Sequence, residues 1–434
     1  MFQIMTNQKD QVAVFWFRRD LRLEDNVGLS KALKSGHPVV PIFIFDDEIL
    51  NELDSNDPRV SFIHERLKEI HQKLTRHQSG LFMFNGNPLD VFKTLMKDWE
   101  IATVYSNHDY EPYGRYRDEK INELLQSKKI PFNTFKDQVM VEKNEVVKAD
   151  GSPYTVYTPF KNRWLQHIHL NEVKPMENPG KPNWYKTAGA SLSLAEIGFE
   201  KSNIEVKPFN IDDLSGYAQN RDLPAVDKTS YLSPHLRFGT IGIRTILSEV
   251  KDNAVFVSEL IWREFFMQIL YHFPSVVEHN FKRKYDSIEW RNDRSEFEKW
   301  CSGNTGYPMV DAGMRQLNAT GYMHNRVRMV TASFLCKHLL IDWRWGEAYF
   351  ASKLLDFELA SNNGNWQWAA GTGCDAAPYF RIFNPIEQLR KFDGQWQYVA
   401  KWIPEVSTEK YPNPMVDHKL ARIRALETYK RGLG

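Results

Sequence analysis

The chain has 434 residues, with 56 Lys and Arg against 55 Asp and Glu, and is 42% hydrophobic and 13% aromatic. That is enough apolar side chain for two or three folded domains, which excludes a disordered tail or a stapled mini-protein, while a net charge of +1 names no partner. No run of eighteen apolar residues occurs, mean hydropathy is −0.52, and residues 1–11 lack the apolar stretch of a signal peptide, so a soluble cytoplasmic protein with no membrane partner is expected.

Short β-branched and aromatic runs open the chain, at Val12–Phe17, Val39–Phe45, Leu81–Phe84 and Ala102–Tyr105. Asn26–Ser35, Val60–Arg76, Pro88–Asp98 and Pro112–Ser127, which fall between and after them, carry helical spacing. Strands and helices in alternation predict a doubly wound, parallel, Rossmann-like α/β domain over residues 1–135. No Gly-x-Gly-x-x-Gly follows any of these strands, so a dehydrogenase reading loses its main support. The charged loop Arg18–Asn26 stands there instead, and reads either as a salt-bridged contact or as an anion site.

Residues 136–200 are rich in Gly, Pro, Ser, Lys and Asn, which predicts an interdomain linker. Helical periods dominate afterwards, at Val257–Tyr271, Val310–Thr320, His324–Leu340 and Trp345–Leu355, predicting an all-helical domain over residues 201–434. Nine of the thirteen tryptophans lie beyond residue 250. Cys301, Cys336 and Cys374 stand far apart, so neither a disulfide framework nor a zinc site is encoded.

Four clusters in the helical half could carry chemistry. Lys228–Pro234, preceded by Tyr217, offers small hydroxyls ahead of a helix, suited to capping or to a phosphate. Glu259, Trp262 and Arg263 share one helix face at i, i+3 and i+4, and Asn325, Arg328 and Met329 repeat that spacing. Asp356–Trp368 packs carboxylates, amides and tryptophans closely, and buried polar groups at that density call for a polar ligand. No metal-ligand constellation, P-loop or Ser-His-Asp motif occurs, so chemistry delegated to a bound cofactor fits the inventory.

Phe15–Asn26, Thr305–Leu317, Asn362–Ala370 and Asp375–Pro385 together resemble the photolyase/cryptochrome family, nearest the class I cyclobutane pyrimidine dimer photolyases. The likeness runs from about Val12 to Pro404 and is dense from Tyr217 onward. It implies one non-covalent FAD in the helical domain, bound by Tyr217, Thr229, Ser230, Leu232, Ser233, Arg328, Asp356, Glu358 and Asn362. Arg328 would pair with Asp356, and Asn362 would face the flavin. Glu358 departs from the usual Asp.

The same likeness implies light-driven DNA repair, in which excited reduced FAD passes an electron to a dimer flipped out of UV-damaged double-stranded DNA by a monomeric enzyme. Trp262 and Trp368 would wall the lesion, Glu259 and Asn325 would bond its base edges, Met329 would fill the wall, and Arg263 and Arg326 would meet the backbone. Glu259, Asn325, Met329 and Asn362 are thus the expected catalytic set. Trp366, Trp343 and Trp290 match the family's electron-transfer chain. Six-four photolyases place His at the positions of Asn325 and Met329, which argues for cyclobutane dimers here. The folate-binding Asn-Glu pair aligns with Tyr113 and Gly114, leaving a second, antenna chromophore open. The rival readings are a cryptochrome-type photoreceptor signalling to a protein and, less well supported, a nicotinamide-dependent oxidoreductase; the short helix-like tail, His418–Arg431, favours the enzyme.

Overall fold

Runs of β-branched and aromatic residues pack best on a pleated surface covered on both faces. Five such runs form one parallel sheet in the computed structural model, which describes residues 11–376 and 378–433. They are β1 (Gln11–Phe17), β2 (Val39–Asp46), β3 (Phe82–Gly86), β4 (Glu100–Asn107) and β5 (Phe132–Phe135), ordered β3-β2-β1-β4-β5. Residues 1–10, read above for a missing export signal, and Ala377 and Gly434 lie outside the described residues.

Alternate side chains of β1 feed two cores. Ala13, Phe15 and Phe17 join Leu29, Phe62 and Leu67 on one face, and Val12, Val14 and Trp16 join Phe92, Ile121 and Leu125 on the other. The helices Val27–Leu33, Pro58–Thr75 and Pro88–Asp98 begin where Asn26, Asp57 and Asn87 accept a backbone N–H two or three residues on. This is the doubly wound α/β architecture the residue pattern predicts, joined to a helical part. The strand that pattern does not reveal is β5, whose four half-buried residues sit at the sheet edge.

Two units divide the chain. The first comprises Met1–Glu142, Leu165–Pro208 and Leu232–Asp252, and the second Lys143–Trp164, Phe209–Tyr231 and Asn253–Gly434. The stretch read as a linker is therefore shared. Its later part runs along the sheet, where Trp184 bridges to Val39 and Ala190 to Phe82. Leu232–Asp252, read with the helical half, is held to the first unit by buried charge. Arg244 donates to Asp25 Oδ1 at 2.6 Å and to Asp137 Oδ1 at 2.6 Å, and Arg22 donates to Asp137 Oδ2 at 2.6 Å. Burial pushes the Asp137 carboxyl up, but the two guanidiniums outweigh it and hold it below the ordinary value. The charged loop Arg18–Asn26 is thus a salt-bridged contact.

The second unit is helical, with no strand among the described residues. Its main core gathers Trp300, Trp343 and Trp366 with Phe334, Phe350 and Leu389. The expected single helix over residues 324–340 is instead the helix Asn325–Ser333 followed by a π-helical turn, Phe334–His338. That wider turn carries Lys337 into the interior, where it is 1% exposed. Its ammonium donates to Ala370 O at 2.7 Å and Tyr379 O at 3.3 Å and lies 3.6 Å from the Tyr429 ring centre. Among the described residues, no helix is long and apolar enough to cross a membrane.

Burial lowers the Lys337 pKa from 10.5 to about 7. The folded chain releases this proton near pH 7 while the unfolded chain keeps it to about 10.5, so unfolding takes up a proton in that window and stability rises with pH. Urea unfolding between pH 6.5 and 9 should show this rise in the wild type relative to Lys337→Met. Parallel pH profiles would mean that Lys337 stays charged.

Candidate active site

The helix Leu359–Ala370 carries the densest set of candidates. It starts where Glu358, in extended conformation, accepts from Ser361 N at 3.1 Å and Ser361 Oγ at 2.8 Å. The methylene that distinguishes Glu358 from Asp is thus spent in a helix cap. A Cβ on Gly364 would lie 2.1 Å from Phe266 Cδ1, and one on Gly346 would lie 2.1 Å from the Trp366 ring. Both neighbours, Ala254–His272 and Trp343–Lys353, therefore approach this helix as closely as backbone allows.

Asn362 and Trp366, one turn apart, are buried, and Trp368 is half-buried. The Asn362 amide donates to Glu347 O at 3.0 Å and Glu347 Oε1 at 2.7 Å. Both amide hydrogens being taken, its oxygen remains an acceptor without a partner among the described residues. Burial pushes the Glu347 carboxyl up, with the Asn362 hydrogen bond opposing. Nearby in sequence, Asp356 receives Arg328 Nη2 on both oxygens, at 3.1 and 2.9 Å, while Arg328 Nε donates to Met323 O at 2.8 Å. A flavin dinucleotide fits this donor set: a fixed amide oxygen can take a ring N–H, and a fixed guanidinium can meet negative charge.

On the helix Ala254–His272, Glu259, Trp262 and Arg263 are half-buried on one face. Glu259 pairs with Arg221 at 2.6 Å. The Trp262 indole is stacked flat on the Tyr157 ring, 3.6 Å between centres. Asn325, exposed, opens its helix just after His324, whose Nδ1 accepts from Arg326 N at 3.2 Å. Burial lowers the His324 pKa to about 4, so the ring stays neutral and able to accept. Arg326 pairs with Asp222 at 2.8 Å and lies 4.3 Å over the Phe392 ring, and Met329 is half-buried.

Tyr217 packs edge-on against Phe256 at 5.1 Å, and burial raises its hydroxyl pKa to about 12. Thr229 is exposed and Ser230 half-buried. Leu232, buried, and Ser233, exposed, head the helix Leu232–Arg237 of the first unit, so the second unit gathers every other candidate. Trp343 and Trp366 lie inside one core and Trp290 packs against it. Trp343 Nε1 donates to Asn280 Oδ1 at 2.9 Å. Arg221, Asp222, Glu347 and Tyr157 were not singled out by sequence. Each meets a candidate from a segment too remote for spacing to reveal.

Two family models match the chain: the FAD binding domain of DNA photolyase over residues 256–410, and DNA photolyase over residues 13–180. The deoxyribodipyrimidine photo-lyase of Halobacterium salinarum is 37% identical over 481 residues, covering 97% of this chain and 99% of that protein. Among solved structures, a bacterial class III photolyase from Agrobacterium tumefaciens is similar at a TM-score of 0.88 and 34% identity, covering 99% of each chain. An archaeal photolyase from Sulfolobus tokodaii with two FAD molecules gives 0.85 and 35%, covering 97% of this chain and 100% of that one. A Synechocystis cryptochrome gives 0.83 and 25%, covering 98% and 100%.

The cap at Glu358 is testable. Glu358→Asp keeps an acceptor suited to that position, whereas Glu358→Ala removes it at a cost of about 1 kcal/mol. Thermal unfolding should place Glu358→Asp with the wild type and Glu358→Ala a few degrees lower. Equal melting of Glu358→Ala and wild type would show that the cap contributes nothing.

Proposed function

The chain belongs to the DNA photolyase family, and from that premise we infer that it is a light-driven DNA-repair enzyme, a deoxyribodipyrimidine photo-lyase that binds FAD. The observation that carries this reading is the likeness to the H. salinarum enzyme over 97% of the chain. FAD, when bound and reduced, supplies under illumination the electron that splits a cyclobutane pyrimidine dimer and receives it back. We assign the chain's own residues to holding the cofactor and the lesion.

Arg328, Asp356 and Asn362 would hold the ring system, and Tyr217, Thr229, Ser230, Leu232 and Ser233 the phosphates and ribityl chain, with Glu358 fixing the helix start beside them. The partner is DNA, and the substrate we propose is a dimer in a UV-damaged duplex. Extruding a base costs a few kcal/mol, least for a damaged pair, and each base–aromatic stack returns about 1–3 kcal/mol. Trp262 and Trp368, half-buried on closely packed helices, suit that role. Glu259 and Asn325 would bond the base edges, with Met329 lining the wall. Arg263 and Arg326 would meet phosphates. The pairs Glu259–Arg221 and Arg326–Asp222 are partly exposed, so each is worth at most about 1 kcal/mol and can yield to DNA.

Trp366, Trp343 and Trp290 are assigned to carrying electrons inward from the surface, which their shared core supports. The class I, cyclobutane-specific branch rests on Asn325 and Met329, since a class III enzyme is among the structural relatives. The S. tokodaii photolyase holds two FAD molecules, and extracted pigment would identify any second chromophore here. The free thiols of Cys301, Cys336 and Cys374 fit a reducing cytoplasm, and we assign a monomer acting there.

Blue light should drive repair of a dimer-containing duplex by the purified holoprotein, with none in the dark. Repair of six-four products alone would move the protein to the other lesion class, and no repair with flavin bound would favour the photoreceptor reading. Trp262→Ala should weaken binding of dimer DNA by roughly tenfold or more, measured by anisotropy. Trp366→Phe should slow photoreduction of bound flavin sharply while leaving repair by already reduced enzyme intact. Unchanged photoreduction would remove the assigned route.

A further inference from the structure

We propose that Tyr157 is a positioning residue for the lesion: it backs one face of the Trp262 indole and ties that plate to the loop following Trp368. This rests on the assignment of Trp262 and Trp368 to the lesion wall. Tyr157 comes from the connector, and nothing in its sequence surroundings marks it.

Its geometry is specific. The two rings lie 7° from parallel with centres 3.6 Å apart, a full face-to-face overlap. Phe265 meets the indole edge-on at 5.6 Å, and Phe266 lies 5.5 Å away at 29°. Tyrosine thus closes one face of the indole to a base. Among the described residues no ring contact joins Trp262 to Trp368, so neither indole occupies the other's stacking face.

Tyr157 is itself fixed at three points. Its hydroxyl donates to Ser258 O at 2.7 Å and lies 2.7 Å from Ser258 Oγ, one turn ahead of Trp262 on the same helix. Lys161 Nζ donates to the same Oγ at 3.2 Å. Its backbone N–H, at the start of the helix Tyr157–His167, donates to Asp375 Oδ2 at 3.0 Å. Helix-start N–H groups lack an intrahelical partner, so a carboxylate there is both satisfied and satisfying. Asp375 lies in the loop after the helix that carries Trp368. One residue therefore grips the Trp262 helix with its side chain and the Trp368 segment with its backbone.

A plate held in place before binding spares the complex the cost of ordering it, so affinity and selectivity both gain. Burial raises the Tyr157 pKa to about 12, with the Ser258 hydrogen bond opposing and the Glu259 charge adding, so the hydroxyl remains a donor throughout the working pH range.

The test compares binding of a dimer-containing duplex with binding of the same undamaged duplex, in FAD-loaded protein. Tyr157→Phe keeps the stacked ring but loses the hydroxyl's grip on Ser258, and should fall between wild type and Tyr157→Leu in discrimination. Tyr157→Leu keeps bulk but not the stack, and should lose about tenfold in dimer affinity with little change for undamaged DNA. Asp375→Ala, which cuts the tie without touching either plate, should lower discrimination in the same sense and carries the test if Tyr157→Leu fails to fold. Unaltered discrimination in both Tyr157→Leu and Asp375→Ala, or equal loss for both DNAs, would overturn the proposal. A wild type that does not prefer dimers would instead overturn the lesion-wall assignment, and this inference with it.

Discussion

The candidate site depends on how tightly one short helix is clamped. Leu359–Ala370 can approach its neighbours only because Gly364 lies against Phe266 and Gly346 against Trp366, where a single added carbon would sit 2.1 Å from a ring atom. Packed interiors do not yield by that much at low cost. Both ends of the helix are closed by a polar side chain. The Glu358 carboxylate meets a free N–H group at its start, and the Lys337 amine donates to Ala370 O at its end. With its axis, rotation and both termini fixed, Asn362, Trp366 and Trp368 are set in place together.

Rigidity then passes outward by hydrogen bonds rather than by further packing. Asn362 is turned by Glu347, Trp343 by Asn280, and Asp356 by Arg328. In each case a polar side chain has been given one orientation by a partner that consumes its donors or acceptors. Such arrangements cost little once folded and a good deal if half-made, because a buried group left unpaired bears its full desolvation penalty. The Lys337 amine is the extreme case, since two carbonyls and a ring face stand in for water around it.

Much of this was legible in the sequence, and what was not has a common cause. Four strands could be read because their apolar runs are continuous, and the helices because their caps and periods are local. The fifth strand is too short to show a pattern. Arg244 joins a unit whose remaining parts are far away in sequence because it meets Asp25 and Asp137, a pairing no local rule can anticipate. In the site, spacing within one helix exposed Glu259 with Trp262 and Asn325 with Arg328. Arg221, Asp222, Glu347 and Tyr157 escaped notice because each acts on a different segment. Glu358 shows the converse. A residue that looks like a departure from a binding pattern also has a local partner, Ser361, at the helix start.

The pairing of charge bears on how the protein would tell damaged DNA from sound DNA. A surface built only for grip would leave its cations free, since each phosphate neutralised releases counterions and adds affinity for any sequence. Here Arg326 faces Asp222, and the acid Glu259 faces Arg221, so part of the assigned contact surface is already neutralised. On the assigned roles, opening those pairs would cost little and return little, and the margin for recognition would come from stacking on the Trp262 plate, which is available only to a base already out of the helix. On this reading the paired charges and the fixed indole are two halves of one device, in which weak grip lets geometry decide where the protein stays.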